Sequence, residues 1–334
     1  PVTGTASLSI PLPVASGRGF VPNLTLAYDS GSGNGPFGLG WQVAIPAISR
    51  KTDQRLPRYR DGEESDIFQF SGLEDLVPLL HEVDGSWAPH LEIIEEDGLS
   101  FEVKRYRPRT EGGYQRIERW RSLEESGDVH WRVRSRDNVL AVFGATPAER
   151  LVDPADPARI FRWLLSYRQD DIGNRVVYLY KREDLAGVDA GLAFERHRAG
   201  LPQANLYPKK ALYGNRVPYW QRPLSEDDYL FQTVFDYGEH DDARPAVTEA
   251  QAWPVRPDPF STYRAGFEVR TYRRCRRVLL FHNFAALGDD PTLVRSLDLA
   301  YGDPEQESRT PFSLLRTATQ RGYQRKGDGY ATLA

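Results

Sequence analysis

The 334-residue chain holds a single cysteine, Cys275, and no methionine. One thiol excludes an internal disulfide framework and a cysteine-built zinc site. No run approaches the roughly 18 consecutive apolar residues of a membrane helix, so no membrane span is expected. The opening PVTGTASLSIPLP lacks the basic start and apolar stretch of a secretory signal. Without an initiator methionine, the chain reads as a fragment of a longer product. An excess of basic charge is missing too. Lys and Arg number 43 against 47 Asp and Glu, a net charge of −4, which speaks against a dedicated nucleic-acid binder. Apolar residues make up 40% and charged residues 27%, so wholesale disorder is excluded.

Helical periodicity is scarce as well; residues 73–81 and 186–198 are the best short candidates. Turn formers are plentiful. The 28 glycines and 24 prolines fall between short alternating apolar runs, the pattern of strands joined by turns. Leu24, Leu26 and Tyr28 alternate before DSGSGNG, and Trp41, Val43 and Ile45 before Pro46. Trp163, Leu165 and Tyr167 lead to QDDIGN, after which Val176, Tyr178 and Tyr180 resume the two-residue period. An aromatic closes several strands ahead of a small polar turn, as at Tyr28, Tyr213, Tyr237 and Tyr301. The ring covers the sheet while its hydroxyl stays near the wet edge. The expected fold is mainly β: many antiparallel strands and hairpins with few short helices. The Pro-rich stretches 153–160 and 251–260 read as rigid crossings, so residues 1–334 are expected to form one domain.

The chemical motifs lack the context that their chemistry needs. Gly33, Gly35 and Gly38 match GxGxxG, but Pro36 sits inside the motif and the continuation alternates as a strand. A dinucleotide site needs a helix to open there, so a glycine-rich turn is expected. None of the six histidines has a helical zinc-site partner. His240 lies in GEHDD, which reads as a solvated turn because adjacent strand residues point to opposite faces. Glu305 and Glu307 form an ExE tripeptide such as ADP-ribosyltransferases carry. However, it follows Gly302-Asp303-Pro304, a hairpin tip. No catalytic, cofactor or metal residue is assigned.

Two basic clusters remain: Lys104, Arg105, Arg107 and Arg109, and Arg273, Arg274, Arg276 and Arg277. Strand alternation divides each between two faces, which favours cross-strand ion pairing or docking of another protein segment over nucleic acid. Arg273, Arg274, Arg276 and Arg277 are the candidate protein-binding residues. Residues 269–281 are expected to form one long strand or hairpin arm, with Val269, Thr271, Cys275 and Leu279 on one face. The Arg heads would pair with carboxylates on neighbouring strands.

Longer blocks carry a resemblance. GTASLSIPLP (4–13), LTLAYDSGSGNGPFGLGW (24–41), ISRKTD (48–53), PRYRDGEESD (57–66) and KRYRPRTEG (104–112) resemble the SpvB family. So do RIERW (116–120), DPADPARIF (153–161), GNRVVYLY (173–180), FDYGEHD (235–241) and DPFSTYRAGFEVRTYRRCRRVLLFHNF (258–284). That family comprises the N-terminal region of the Salmonella virulence plasmid B protein and the TcB subunits of insecticidal toxin complexes. The resemblance implies a large curved sheet like the shells of Rhs and YD-repeat proteins. TcB and TcC together build a hollow β-sheet cocoon around a cytotoxic polypeptide. In the Salmonella protein this region precedes a separate actin-modifying ADP-ribosyltransferase domain.

What the resemblance implies for this chain is a noncatalytic toxin module, part of a shell or carrier, secreted after synthesis in the bacterial cytoplasm. Its partners would be other toxin-complex subunits or downstream toxin domains of the same polypeptide, with no cofactor and no nucleic acid. A protein-binding module is the alternative, and an ADP-ribosyltransferase the least favoured reading.

Overall fold

The computed structural model describes the chain apart from residues 1–3, 72–74, 111, 126–127, 303–311, 328 and 334. Strands dominate. The helical turns among the described residues are five 3-10 segments of three residues each. The chain divides into two compact units, one of residues 45–173 and 262–269, the other of residues 1–44, 174–261 and 270–334.

In the first unit the pairings close on themselves. Leu99–Pro108 pairs with Arg116–Ser122, then Val129–Arg134, Leu140–Phe143 and Asp156–Gln169 follow in turn. Asp156–Gln169 pairs with Ala47–Arg50, which leads through Phe68–Phe70 and Asp75–Pro78 back to Leu99–Pro108. Every step is antiparallel, and the result is an eight-stranded barrel. A barrel this size has an interior that side chains can fill. Register aligns Lys104, Arg119, Trp131, Phe143 and Leu165 across five strands, all of them buried. Phe68 meets Trp131, Trp163 and Tyr106 edge-on, with ring centroids 5.0, 5.8 and 5.9 Å away.

A cation sits among these rings. Arg50 is buried and its guanidinium lies 4.7 Å from the Tyr59 ring centre and 5.1 Å from that of Phe68. It donates to Asp61 at 2.5 and 2.9 Å, to Asp66 at 2.9 Å and to the Ile160 carbonyl at 2.7 Å. Asp66 in turn accepts the Arg58 and Tyr59 backbone N–H groups, both at 2.8 Å. Arg50 thereby fastens the 58–66 loop to the strands.

The second unit is a run of seven antiparallel strands in chain order: Arg175–Arg182, Leu206–Asn215, Tyr229–Asp236, Arg277–His282, Thr292–Tyr301, Leu315–Lys326 and Gly329–Leu333. A separate three-stranded sheet joins Ser7–Pro11, Thr25–Asp29 and Trp41–Val43.

Three expectations change. Residues 75–81 form parts of strands Asp75–Pro78 and Leu80–Val83 instead of a helix; residues 73 and 74 lie outside the described set. Residues 186–198 are turns ending in the 3-10 segment Arg196–Arg198. Asp184 and Asp189 accept backbone N–H groups two residues on, which favours turns over helix. The expected long strand at 269–281 is broken into Val269–Thr271 and Arg277–His282. Between them Tyr272 accepts from Arg256 and Cys275 donates to Pro36, both in loops, before Arg276 donates to Asp236 at the end of a neighbouring strand, each at 2.8 Å.

The glycine-rich segment is the expected turn, pairing Asn34–Gly35 with Gly38–Leu39. Phe37 is buried and meets Phe235 edge-on. Gly38 has φ of +90°, and a Cβ there would lie 2.7 Å from the Ser313 carbonyl oxygen. We expect Gly38→Ala to lower unfolding free energy by about 1 kcal/mol or more in denaturant titrations. An unchanged midpoint would contradict this account of the turn.

Candidate functional site

The arginine run lies where the second unit's strands are interrupted, and each head goes to a different partner. Arg273 has zero exposure. Its Nε donates to Glu183 at 2.9 Å, Nη1 to the Trp253 and Ala186 carbonyls at 2.7 and 2.9 Å, and Nη2 to Glu183 and Asp184. All five N–H donors of the guanidinium fork are thus used. Its plane lies 4.5 Å from the Trp253 ring centre, and the Trp253 indole donates to Asp184 at 2.7 Å. Removing one member of such a buried pair costs about 3–5 kcal/mol, because the other is left charged and dry.

The neighbours of Arg273 diverge. Arg270 pairs with buried Glu195, which also receives the Tyr272 hydroxyl and Arg198. Arg274 donates to Ser313 Oγ at 2.7 Å and stacks on Tyr301. Arg277 pairs with Asp236, its Nε donating at 2.7 Å. Arg276 is the exposed member, 3.6 Å from Asp242. The candidate docking set therefore divides. Arg273 is withdrawn into the interior, Arg274 and Arg277 are half-buried, and Arg276 faces solvent. Pairing with carboxylates from other segments holds for Arg273, Arg276 and Arg277. Cys275, with no exposure, places its thiol 3.3 Å from the Arg277 carbonyl. Burial pushes that thiol well above its ordinary pKa, as do Asp236 and Glu239.

GEHDD is no solvated turn at its first three residues, which are buried. Glu239 and His240 are buried around Lys209. Lys209 Nζ pairs with Glu239 and lies 2.8 Å from His240 Nε2, while His240 Nδ1 is 2.8 Å from the Ala246 carbonyl. The Nδ1–H tautomer satisfies both contacts, donating to Ala246 and accepting from Lys209. Glu239 also accepts the Tyr237 N–H at 2.7 Å. Burial, and then Lys209, lower the His240 pKa. Burial raises the Asp236 carboxyl, but Arg277 and the Gly238 N–H outweigh it and hold it below the usual range. The surrounding lysines are neutralised in the same way: Lys181 by Glu249 at 2.6 Å and Lys210 by Glu226 at 2.7 Å.

Among the described residues no three His, Cys, Asp or Glu side chains converge to hold a metal ion, and no helix is long and apolar enough to cross a membrane. Glu305 and Glu307 lie outside the described residues. Sequence reading missed Glu183, Glu195, Lys209 and Trp253. The alternation of Val176, Tyr178 and Tyr180 ends just before Glu183, Glu195 fell in the helix expected at 186–198, and Trp253 in the Pro-rich stretch 251–260.

In the barrel unit, His130 stacks on Trp120 at 5.8 Å and its Nε2 accepts from Arg132 at 3.1 Å. Burial and the nearby Arg132 and Arg150 lower its pKa to about 3. The unfolded side chain titrates near 6.5, so between about 6.5 and 3 the unfolded state binds a proton that the native state refuses. Stability is therefore expected to fall as pH falls through that window, with His240 adding in the same direction. Thermal melts from pH 7 to 4 should show it, and His130→Gln should flatten the slope. Equal slopes for parent and variant would contradict the assignment.

A family model described as "Salmonella virulence plasmid 65kDa B protein" matches residues 1–284. Mono(ADP-ribosyl)transferase SpvB of Salmonella typhimurium is 37% identical over 98% of this chain, and SpvB of Salmonella dublin is equally similar. The chain spans 55% of those relatives' length. The solved N-terminal domain of effector protein SpvB from Salmonella typhimurium matches with a TM-score of 0.84 and 36% identity, over 96% of this chain and 99% of that one. A TcdB2-TccC3-Cdc42 crystal structure matches at 0.84 and 33% identity, over 99% of this chain and 16% of that one. The Photorhabdus luminescens Tc holotoxin pore matches at 0.83 and 33%, over 99% and 15%.

Proposed function

The chain belongs to the SpvB family, and we propose that it is a noncatalytic structural module of a bacterial toxin. In this reading it forms part of the shell or carrier that encloses or delivers a separate cytotoxic domain. The observation that carries it is the use made of charge. Arg50, Lys209, Arg270 and Arg273 are buried and closed by carboxylates of the same unit. Groups that could polarise a substrate are engaged in holding strands and loops together. The likeness to a TcdB2-TccC3 structure over 99% of this chain, but 16% of that one, suits a module within a much larger assembly. Other toxin-complex subunits or downstream domains are its partners in this reading, and secretion accompanies the toxin it serves.

A second reading, docking of a partner by the arginine run, has its support at Arg276, whose side chain is exposed and held by Asp242 at 3.6 Å. The relatives' transferase name is weighed by alignment: the chain covers 55% of their length and matches the solved N-terminal domain. Purified chain incubated with labelled NAD and actin is expected to transfer no ADP-ribose and hydrolyse no NAD above background. Turnover that Glu307→Ala abolishes would overturn the noncatalytic reading.

A further inference from the structure

Residues 80–102 carry seven Asp and Glu and no Lys or Arg, in a chain whose net charge is only −4. They form the hairpin of Leu80–Val83 with Ser86–Pro89, followed by strand Leu91–Glu96. That strand pairs along one edge with residues 99–104, and among the described residues no strand takes its other edge. Its register runs six residues without a bulge. The outward side chains are Leu91, Ile93 and Glu95; Leu91 is 50% and Ile93 64% exposed. On the preceding hairpin Trp87 is 70% exposed.

Native proteins blunt a free edge with Lys, Pro, a bulge or shortness. Leu91–Glu96 has no Lys, no Pro and no bulge. Its charges are Glu92, Glu95 and Glu96, of which Glu92 is tied to Arg105 at 3.0 Å and Glu96 to Arg132 at 2.7 Å. Antiparallel pairing with a second copy would bring acidic edges together, which disfavours self-association. An incoming strand of opposite charge meets no such penalty.

We infer that the free edge of Leu91–Glu96 is a β-addition site for an extended segment of a partner polypeptide, one in which apolar residues alternate with Lys or Arg. Backbone hydrogen bonds along the edge supply affinity, Leu91 and Ile93 supply apolar contact, and the acidic surroundings select the basic strand. The inference rests on the module working with another polypeptide, as proposed above, and is independent of whether the chain has an activity.

The test uses two fluorescent peptides of about ten residues, one alternating valine with lysine and the other valine with glutamate. Anisotropy should show saturable binding of the lysine peptide to the full chain, weakened by salt, and no binding of the glutamate peptide. Leu91→Lys combined with Ile93→Lys, both at exposed positions, should weaken binding at least about tenfold while leaving the melting temperature unchanged. Hydrogen exchange should show new amide protection within residues 91–96 when the lysine peptide is present. Equal binding of both peptides, binding retained by the double variant, or protection confined to other strands would overturn the site. So would a dimer in sedimentation that the double variant abolishes, since the edge would then serve a second copy. ADP-ribosyl transfer by a chain that still binds the peptide refutes the noncatalytic reading alone, and an inactive chain that ignores the peptide refutes the edge alone.

Discussion

The ion pair of Arg273 with Glu183 joins residues 90 positions apart, and the architecture of its unit depends on that pair being complete. A guanidinium taken wholly out of water carries a desolvation cost of several kcal/mol, which only close, well-directed partners offset. Glu183 supplies the charge, the Trp253 and Ala186 carbonyls fill the remaining donors on one nitrogen, and the Trp253 ring covers the plane. Lysine has neither the fork nor the flat face that these partners fit. Meeting the partners draws residues 272–275 out of the strand ladder, where the Tyr272 carbonyl and the Cys275 N–H bond to Arg256 and Pro36 instead. One buried charge therefore sets the path of the chain between two strands and binds the loops around it.

The barrel unit reaches the same solution with other residues. Arg50 lies among Tyr59, Phe68 and Trp163, and its donors go to Asp61, Asp66 and a carbonyl. Large rings fill a small barrel efficiently, and their faces tolerate a guanidinium that an aliphatic core would not. Both units thus combine aromatic packing with a paired arginine. Such a pair adds little net stability against an apolar replacement of like shape, yet it heavily penalises any arrangement that separates its members. That suits the structural role proposed above.

Much of this was legible beforehand. Alternating runs such as Trp163, Leu165 and Tyr167 gave away the strands, and Pro36 inside the glycine motif marked a turn. The ordered blocks along the chain pointed to the family. The failures share a physical cause. Residues 73–81 looked helical because leucine suits both periods over so short a stretch, and pairing of Asp75–Pro78 with Phe68–Phe70 and Leu99–Pro108 decided for strand there. RRCRR read as part of one long strand or hairpin arm, and GEHDD as a wet turn, because their partners are distant in sequence. Lys209 lies 31 residues before His240, and no local pattern announces that the two share a dry site.

The account's central claim is that the arginine run, apart from exposed Arg276, is scaffolding built around a buried centre. Cys275, the one thiol in the chain, sits in the middle of it, so its accessibility reports directly on that claim. With Ellman's reagent under native conditions, the account predicts very slow labelling that becomes complete only as denaturant unfolds the protein, with the labelling and unfolding midpoints coinciding. Rapid stoichiometric labelling of the folded protein would contradict it, because the run would then lie at the surface, open to solvent and to partners.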